Sequence, residues 1–142
     1  HIFLQAGVVG LAAACAVYAR QCWGDAPRII VVEPDAAPAL FASIAAGSAQ
    51  ITEGPSSDMG RLDCKEPSLI ALKGLARDAD DFMLISEAEG AAGSEACAAA
   101  CLPSTPSGAG GFSGLLAAQA DPGALGLSPD ARVMVILSEE AT

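Results

Sequence analysis

The sequence predicts a parallel α/β domain, and three observations carry that prediction. An apolar strand, Ile2-Phe3-Leu4, runs through a glycine-bearing turn, Gln5 to Gly10, into an alanine-rich helix from Leu11 to about Cys22. A continuous run, Arg28-Ile29-Ile30-Val31-Val32, is of the kind that fills a central parallel strand covered on both faces. Two further apolar runs, Phe82 to Ile85 and Arg132 to Leu137, are separated by segments of helical spacing. The expectation is a parallel sheet of about four strands with flanking helices, Rossmann-like and three-layered.

The first helix is apolar nearly all round, so it should be buried against the sheet. Trp23-Gly24-Asp25-Ala26-Pro27 stops it. Glu33-Pro34-Asp35 ends the second strand, and Ala36 to Ala46 has helical spacing at Leu40, Phe41 and Ile44, closed by Gly47. Ala49 to Thr52 reads as a short strand. Glu53 to Lys65 is rich in Gly, Pro, Ser and Asp and lacks periodicity, which is long for a connection in a compact domain and suggests a functional loop.

Pro67 opens a helix whose apolar face is Leu69, Ile70, Leu72 and Leu75, with Asp78, Asp80 and Asp81 solvating its end. Ser86 with Glu89 three residues later forms a capping box for a helix reaching about Leu102. Thr105-Pro106-Ser107-Gly108 leads into a last helix that continues from Phe112 to Ala120. Right-handed crossovers would put every strand's carboxyl end on one edge, where ligand chemistry in such sheets belongs. A small-residue turn leading into a helix there exposes unpaired N–H groups and the positive end of the helix dipole, a natural anion site.

Composition narrows the function. With 52% hydrophobic residues in 142, one domain can build a core, and only 4% aromatic residues argues against a β-sandwich. Seventeen acidic against seven basic residues give a net charge of -10, which repels a phosphate backbone, so no nucleic-acid partner is expected. The longest apolar stretch, Ala6 to Ala19, falls short of the roughly 20 residues that cross a bilayer, so no membrane is expected either. Cys15, Cys22, Cys64, Cys97 and Cys101 are odd in number and match no Cys-x-x-Cys pattern, and His1 is the single histidine. They read as small buried thiols in a reducing cytoplasm, with no metal site. Because His1 opens the chain inside an apolar stretch, the chain is expected to be cut from something longer.

Five motifs then have to be taken in order. They are Phe3-Leu4-Gln5-Ala6-Gly7-Val8 before the alanine-rich helix; Val31-Val32-Glu33-Pro34; Gly60-Arg61-Leu62-Asp63-Cys64-Lys65-Glu66-Pro67; Thr105-Pro106-Ser107-Gly108-Ala109; and Val135-Ile136-Leu137-Ser138-Glu139. Together they resemble the C-terminal half of the fold type II pyridoxal-phosphate enzymes, and in particular the diaminopropionate ammonia-lyases, over essentially all of residues 1–142.

That resemblance implies pyridoxal 5'-phosphate as cofactor of a longer parent. Its phosphate would be gripped by backbone amides of Ala6, Gly7, Val8, Val9 and Gly10, and its pyridine nitrogen would lie beside Ser138. The lysine that holds the cofactor covalently lies upstream of this turn in the family, which implies no catalytic residue in this chain and no activity from it alone. The parent would be a homodimer acting on a small amino acid, eliminating ammonia from 2,3-diaminopropionate to give pyruvate. Val9 and Glu140 stand where the family usually has glycine, and a β-branched residue is costly where positive φ is needed.

Other readings stay open beside this one. A serine or threonine dehydratase would share the motifs, while a non-catalytic nucleotide-binding or regulatory module would share the strand, glycine turn and helix. An assembly domain with an exposed apolar surface is the third. Asp63, Cys64, Lys65 and Glu66 offer several chemistries in one loop, but their expected role is a polar rim or a subunit contact.

Overall fold

A computed structural model describes residues 1–141. The four apolar runs pair in register, because each hides hydrophobic residues on both faces and satisfies its backbone only beside another strand. They are β1 (Ile2–Gln5), β2 (Ile29–Pro34), β3 (Asp81–Ile85) and β4 (Met134–Val135). All pairs are parallel and the sheet order is β3-β2-β1-β4.

The helices are α1 (Gly10–Trp23), α2 (Ala39–Ala46), α3 (Leu69–Asp78), α4 (Glu87–Ala99) and α5 (Gly110–Ala117). On one face of the sheet Ala12, Ala16 and Ala19 of α1, Leu40 of α2, and Ala71 and Leu75 of α3 pack on Ile2, Leu4, Ile29 and Val31. Phe3, Ile30, Val32 and Ile85 point the other way, toward Leu115 and Ala117 of α5. The alternation along β1 and β2 follows the period of two of a strand.

Glycines bring α5 down onto the sheet. A Cβ at Gly114 would stand 2.6 Å from a Val32 methyl, and one at Gly111 would stand 2.8 Å from the Phe3 carbonyl oxygen. The outer helix α4 packs on α5 in the same way, since a Cβ at Gly93 would meet the Ser113 hydroxyl at 2.0 Å. Gly93 therefore serves helix contact rather than weakening α4, whose Ser86–Glu89 capping box forms as the sequence predicts.

Four expectations need correction. Ala49 to Thr52 is not a strand; Thr52 instead donates its N–H to the Lys65 carbonyl at 2.9 Å. The last strand is confined to Met134 and Val135, because the next backbone groups are engaged elsewhere: the Ile136 carbonyl by the Gln5 side chain, the Ser138 N–H by Gly108. The 53–67 loop also contributes to the core, since Met59 and Leu62 are buried against Phe3 and Ile85.

The aspartates at and after the end of α3 are ion-paired rather than merely solvated. Asp78 pairs with Arg77, Asp80 with Arg20, and Asp81 takes both nitrogens of an Arg28 fork at 2.6 and 2.9 Å. The cysteines are unpaired, but they are not all buried thiols as expected: only Cys97 is fully buried, while Cys22 and Cys101 are exposed. Among the described residues no helix is long and apolar enough to cross a membrane, and no group of three or more His, Cys, Asp or Glu side chains could hold a metal ion.

The chain runs β1, β2, β3 outward in one direction and then returns to place β4 on the far side of β1. In an open parallel sheet the crevice outside the strand ends at such a reversal is where ligands bind. Here it lies between the ends of β1 and β4.

Candidate functional site

On the β1 side of this crevice the chain leaves the sheet after Gln5 and enters α1 five residues later. The Ala6 N–H donates to the Val32 carbonyl at 2.8 Å, so Ala6 belongs to the sheet and brings no unused amide. Among the described residues the N–H groups of Gly7, Val8, Val9 and Gly10 have no protein acceptor. Four successive unengaged amides at the start of a 14-residue helix make a strong anion cradle.

Two residues shape the cradle. Val9, the residue before α1, has φ 56 and ψ -6, a left-handed conformation that valine rarely adopts and that costs on the order of 1–2 kcal/mol. Its side chain is 3% exposed and packs in the core, which holds it there. Gly7 is required by proximity, because a Cβ there would stand 2.2 Å from the Arg61 carbonyl oxygen and 2.7 Å from the Leu62 Cα. The 53–67 loop thus lies directly against the turn. At Gly10 the space is open.

On the β4 side, Ser138 is exposed, and its Oγ accepts a hydrogen bond from Gln5 Nε2 at 3.0 Å. Next to it Glu139 joins three segments. Its carboxylate accepts the Thr105 hydroxyl and pairs with Arg61 Nε at 2.7 Å, while its carbonyl accepts from Ser104 Oγ at 2.7 Å. Arg61 N–H in turn donates to Ser107 Oγ. Glu140, the departure from the family pattern, is exposed.

Lys65 is fully occupied. Its Nζ donates to the Ala36 and Pro55 carbonyls at 2.7 and 2.8 Å and pairs with Asp63 at 2.6 Å, a bond that holds the Asp63 carboxyl below its usual range. Glu33, at the end of β2, is 4% exposed and receives the Leu40 and Phe41 N–H groups at 2.9 and 2.7 Å. It therefore caps α2. Burial pushes its carboxyl up to about 7, against the downward pull of those two amides.

Of the residues singled out from sequence, the structure places Gly7, Val8, Val9 and Gly10 directly after β1, and Ser138 in hydrogen-bond contact with Gln5, the last residue of that strand. Sequence reasoning missed Gln5 and Glu139. A glutamine inside an otherwise apolar strand was the available signal for the first; Glu139 stands in the Val135–Glu139 motif, but nothing local showed that its carboxylate would bind Thr105 and Arg61.

An open parallel sheet with unengaged amides at a helix start beside its switch point is the arrangement of an anion-binding domain. The chain belongs to the pyridoxal-phosphate dependent enzyme family, which matches residues 1–139, and pyridoxal phosphate is that family's cofactor. The donor set fits such a group: amides for a phosphate, and a hydroxyl for a ring nitrogen.

Among solved structures the chain is similar to diaminopropionate ammonia lyase from Escherichia coli, with 28% identity and a TM-score of 0.84 over 99% of this chain and 38% of that one. A threonine deaminase from T.th. gives 19% identity and a TM-score of 0.86, covering 99% and 48%. Maize serine racemase gives 19% and 0.88, covering 99% and 42%. The latter two share the fold. The chain spans less than half the length of each of these structures. No curated protein matches it.

Proposed function

We propose that this chain is the phosphate- and ring-nitrogen-binding side of a pyridoxal-phosphate-dependent ammonia-lyase that converts 2,3-diaminopropionate to pyruvate and ammonia. The observation that carries the reading is the run of unengaged amides from Gly7 to Gly10, directly after the strand whose last residue, Gln5, is hydrogen-bonded to Ser138. The 28% identity to a diaminopropionate ammonia lyase over nearly the whole chain supports the substrate.

In this reading Gly7, Val8, Val9 and Gly10 hold the phosphate through N–H groups aided by the α1 dipole. Ser138 faces the pyridine nitrogen with a neutral hydroxyl, which does not stabilise a protonated ring as a carboxylate would. Bound pyridoxal phosphate supplies an electron sink for charge developing at the substrate α-carbon, weaker for an unprotonated ring and suited to loss of a β-leaving group. Lys65 cannot supply the covalent link, since its three protons are engaged, and Lys73 is exposed on α3. That lysine belongs to sequence outside this chain.

The test is to assay the full-length parent for ammonia and pyruvate from 2,3-diaminopropionate, L-serine and L-threonine, beside this chain alone. Preference for diaminopropionate by the parent and no turnover by the chain alone are expected. A preference for serine or threonine sinks the substrate assignment, and turnover by this chain sinks the lysine assignment.

A further inference from the structure

Gln5 is the last residue of β1 and is 4% exposed. Its Nε2 lies 3.0 Å from each of three oxygens: the Gly108 carbonyl, the Ile136 carbonyl and Ser138 Oγ. The neighbouring helix clamps the side chain, since a Cβ at Gly110 would stand 3.0 Å from Gln5 Cβ and one at Gly111 would stand 2.9 Å from Gln5 Oε1. The amide direction is fixed by chemistry, because the reverse assignment would set Oε1 against two carbonyls. This orientation holds even though Oε1 is buried with no partner among the described residues.

An amide nitrogen only donates, so Ser138 Oγ is the acceptor in its bond to Gln5. The Ser138 proton must then go elsewhere. The two amide protons of Gln5 are shared among Ser138 Oγ and the Ile136 and Gly108 carbonyls, and Gly108 also accepts the Ser138 N–H at 3.3 Å, so both carbonyls already carry a donor that competes with the hydroxyl. The open direction is the exposed side of Ser138.

We infer that Gln5 is a positioning residue: by sharing its two amide protons among Ser138 Oγ and the Gly108 and Ile136 carbonyls, it biases the Ser138 hydroxyl to donate toward the ligand. This rests on the reading that Ser138 faces the cofactor ring. The preferred partner is an unprotonated ring nitrogen. Without Gln5 the two freed carbonyls would draw the hydroxyl proton inward.

The experiment uses full-length apoenzyme and compares affinity for pyridoxal phosphate with that for its analogue in which the ring nitrogen is replaced by C–H. Wild type is expected to prefer the natural cofactor by about 5–10-fold, the worth of one neutral hydrogen bond, and Gln5→Met and Ser138→Ala each by less than about 2-fold. Loss in Ser138→Ala but full preference in Gln5→Met overturns the Gln5 inference while leaving the ring reading intact. Full preference in Ser138→Ala overturns the ring reading itself. A further measurement needs no variant: 15N NMR of the labelled ring nitrogen in the wild-type holoenzyme. An unprotonated, hydrogen-bonded signal from pH 6 to 9 (about the accessible range) supports the donor assignment, and a protonated one overturns it.

Discussion

The Glu139 carboxylate lies 2.7 Å from the Arg61 guanidinium, and through it the end of β4 is tied to the loop whose backbone rests on Gly7. The two partners are unequally buried, with 80% of the Arg61 side chain exposed against 22% of Glu139. Removing Arg61 gives up an exposed ion pair, whereas removing Glu139 also strands the Thr105 hydroxyl. Arg61→Ala is expected to cost less than about 1 kcal/mol and Glu139→Ala about 1–3 kcal/mol. Denaturant unfolding of both variants checks the order, and equal costs would contradict it.

Gly7 and Gly10 should respond in opposite directions to the same change. Gly7→Ala drives a methyl into the Arg61 and Leu62 backbone, which has no flexible end to move aside, and is expected to destabilise by more than about 2 kcal/mol. Gly10→Ala meets open space in the first turn of α1 and should stabilise by about 0.5 kcal/mol through helix propensity. Thermal melts of the two variants would decide. A tolerated Gly7→Ala would show that the loop does not sit on the turn.

Val9 combines strain with burial. Val9→Gly relieves a left-handed valine but removes a core side chain, two terms of about 1–2 and 1.5–3 kcal/mol that largely cancel. Val31→Ala, at an equally buried site within β2, has only the loss. Val9→Gly is therefore expected to cost clearly less than Val31→Ala in urea unfolding, and the reverse order would mean that the turn is unstrained.

Glu33 gives the fold a pH dependence. Its carboxyl is raised from an ordinary 4.5 to about 7 in the folded state, so the folded protein holds a proton that the unfolded chain has released over that window. Its contribution is fully present below about pH 4.5 and is lost as pH rises through about 7, on the order of a few kcal/mol. Glu33→Gln keeps an acceptor for one α2 amide without the charge. Its stability relative to wild type should rise between pH 5 and pH 8, and parallel profiles in guanidinium unfolding would refute the assignment.

Much of the fold was legible because its signals are local. The β-branched run from Ile29 to Val32, the Ser86–Glu89 box and the Gly47 stop each act within a few residues, and each element formed where expected. The length of β4 was not legible, because what ends its pairing is the Gln5 side chain from 131 residues away. The site followed the same division. The turn from Gly7 to Gly10 announces itself in composition, and even the conflict at Val9 could be anticipated. The engagement of Glu139 rather than Glu140, and the burial of Met59 and Leu62 in a loop without periodicity, depend on which segment lies across the sheet edge. No local pattern encodes that.

The bond from Gln5 to Ser138 spans 133 residues, joining a strand near one end of the chain to a loop near the other. During synthesis the amide turn leaves the ribosome first, and the groups across the crevice follow only after all the segments between them. Contacts so far apart in sequence form late, because the chain loses the entropy of closing a long loop before they reward it. An unfinished domain would therefore carry the anion cradle without its opposite wall, and could not take up its ligand with the affinity of the completed fold.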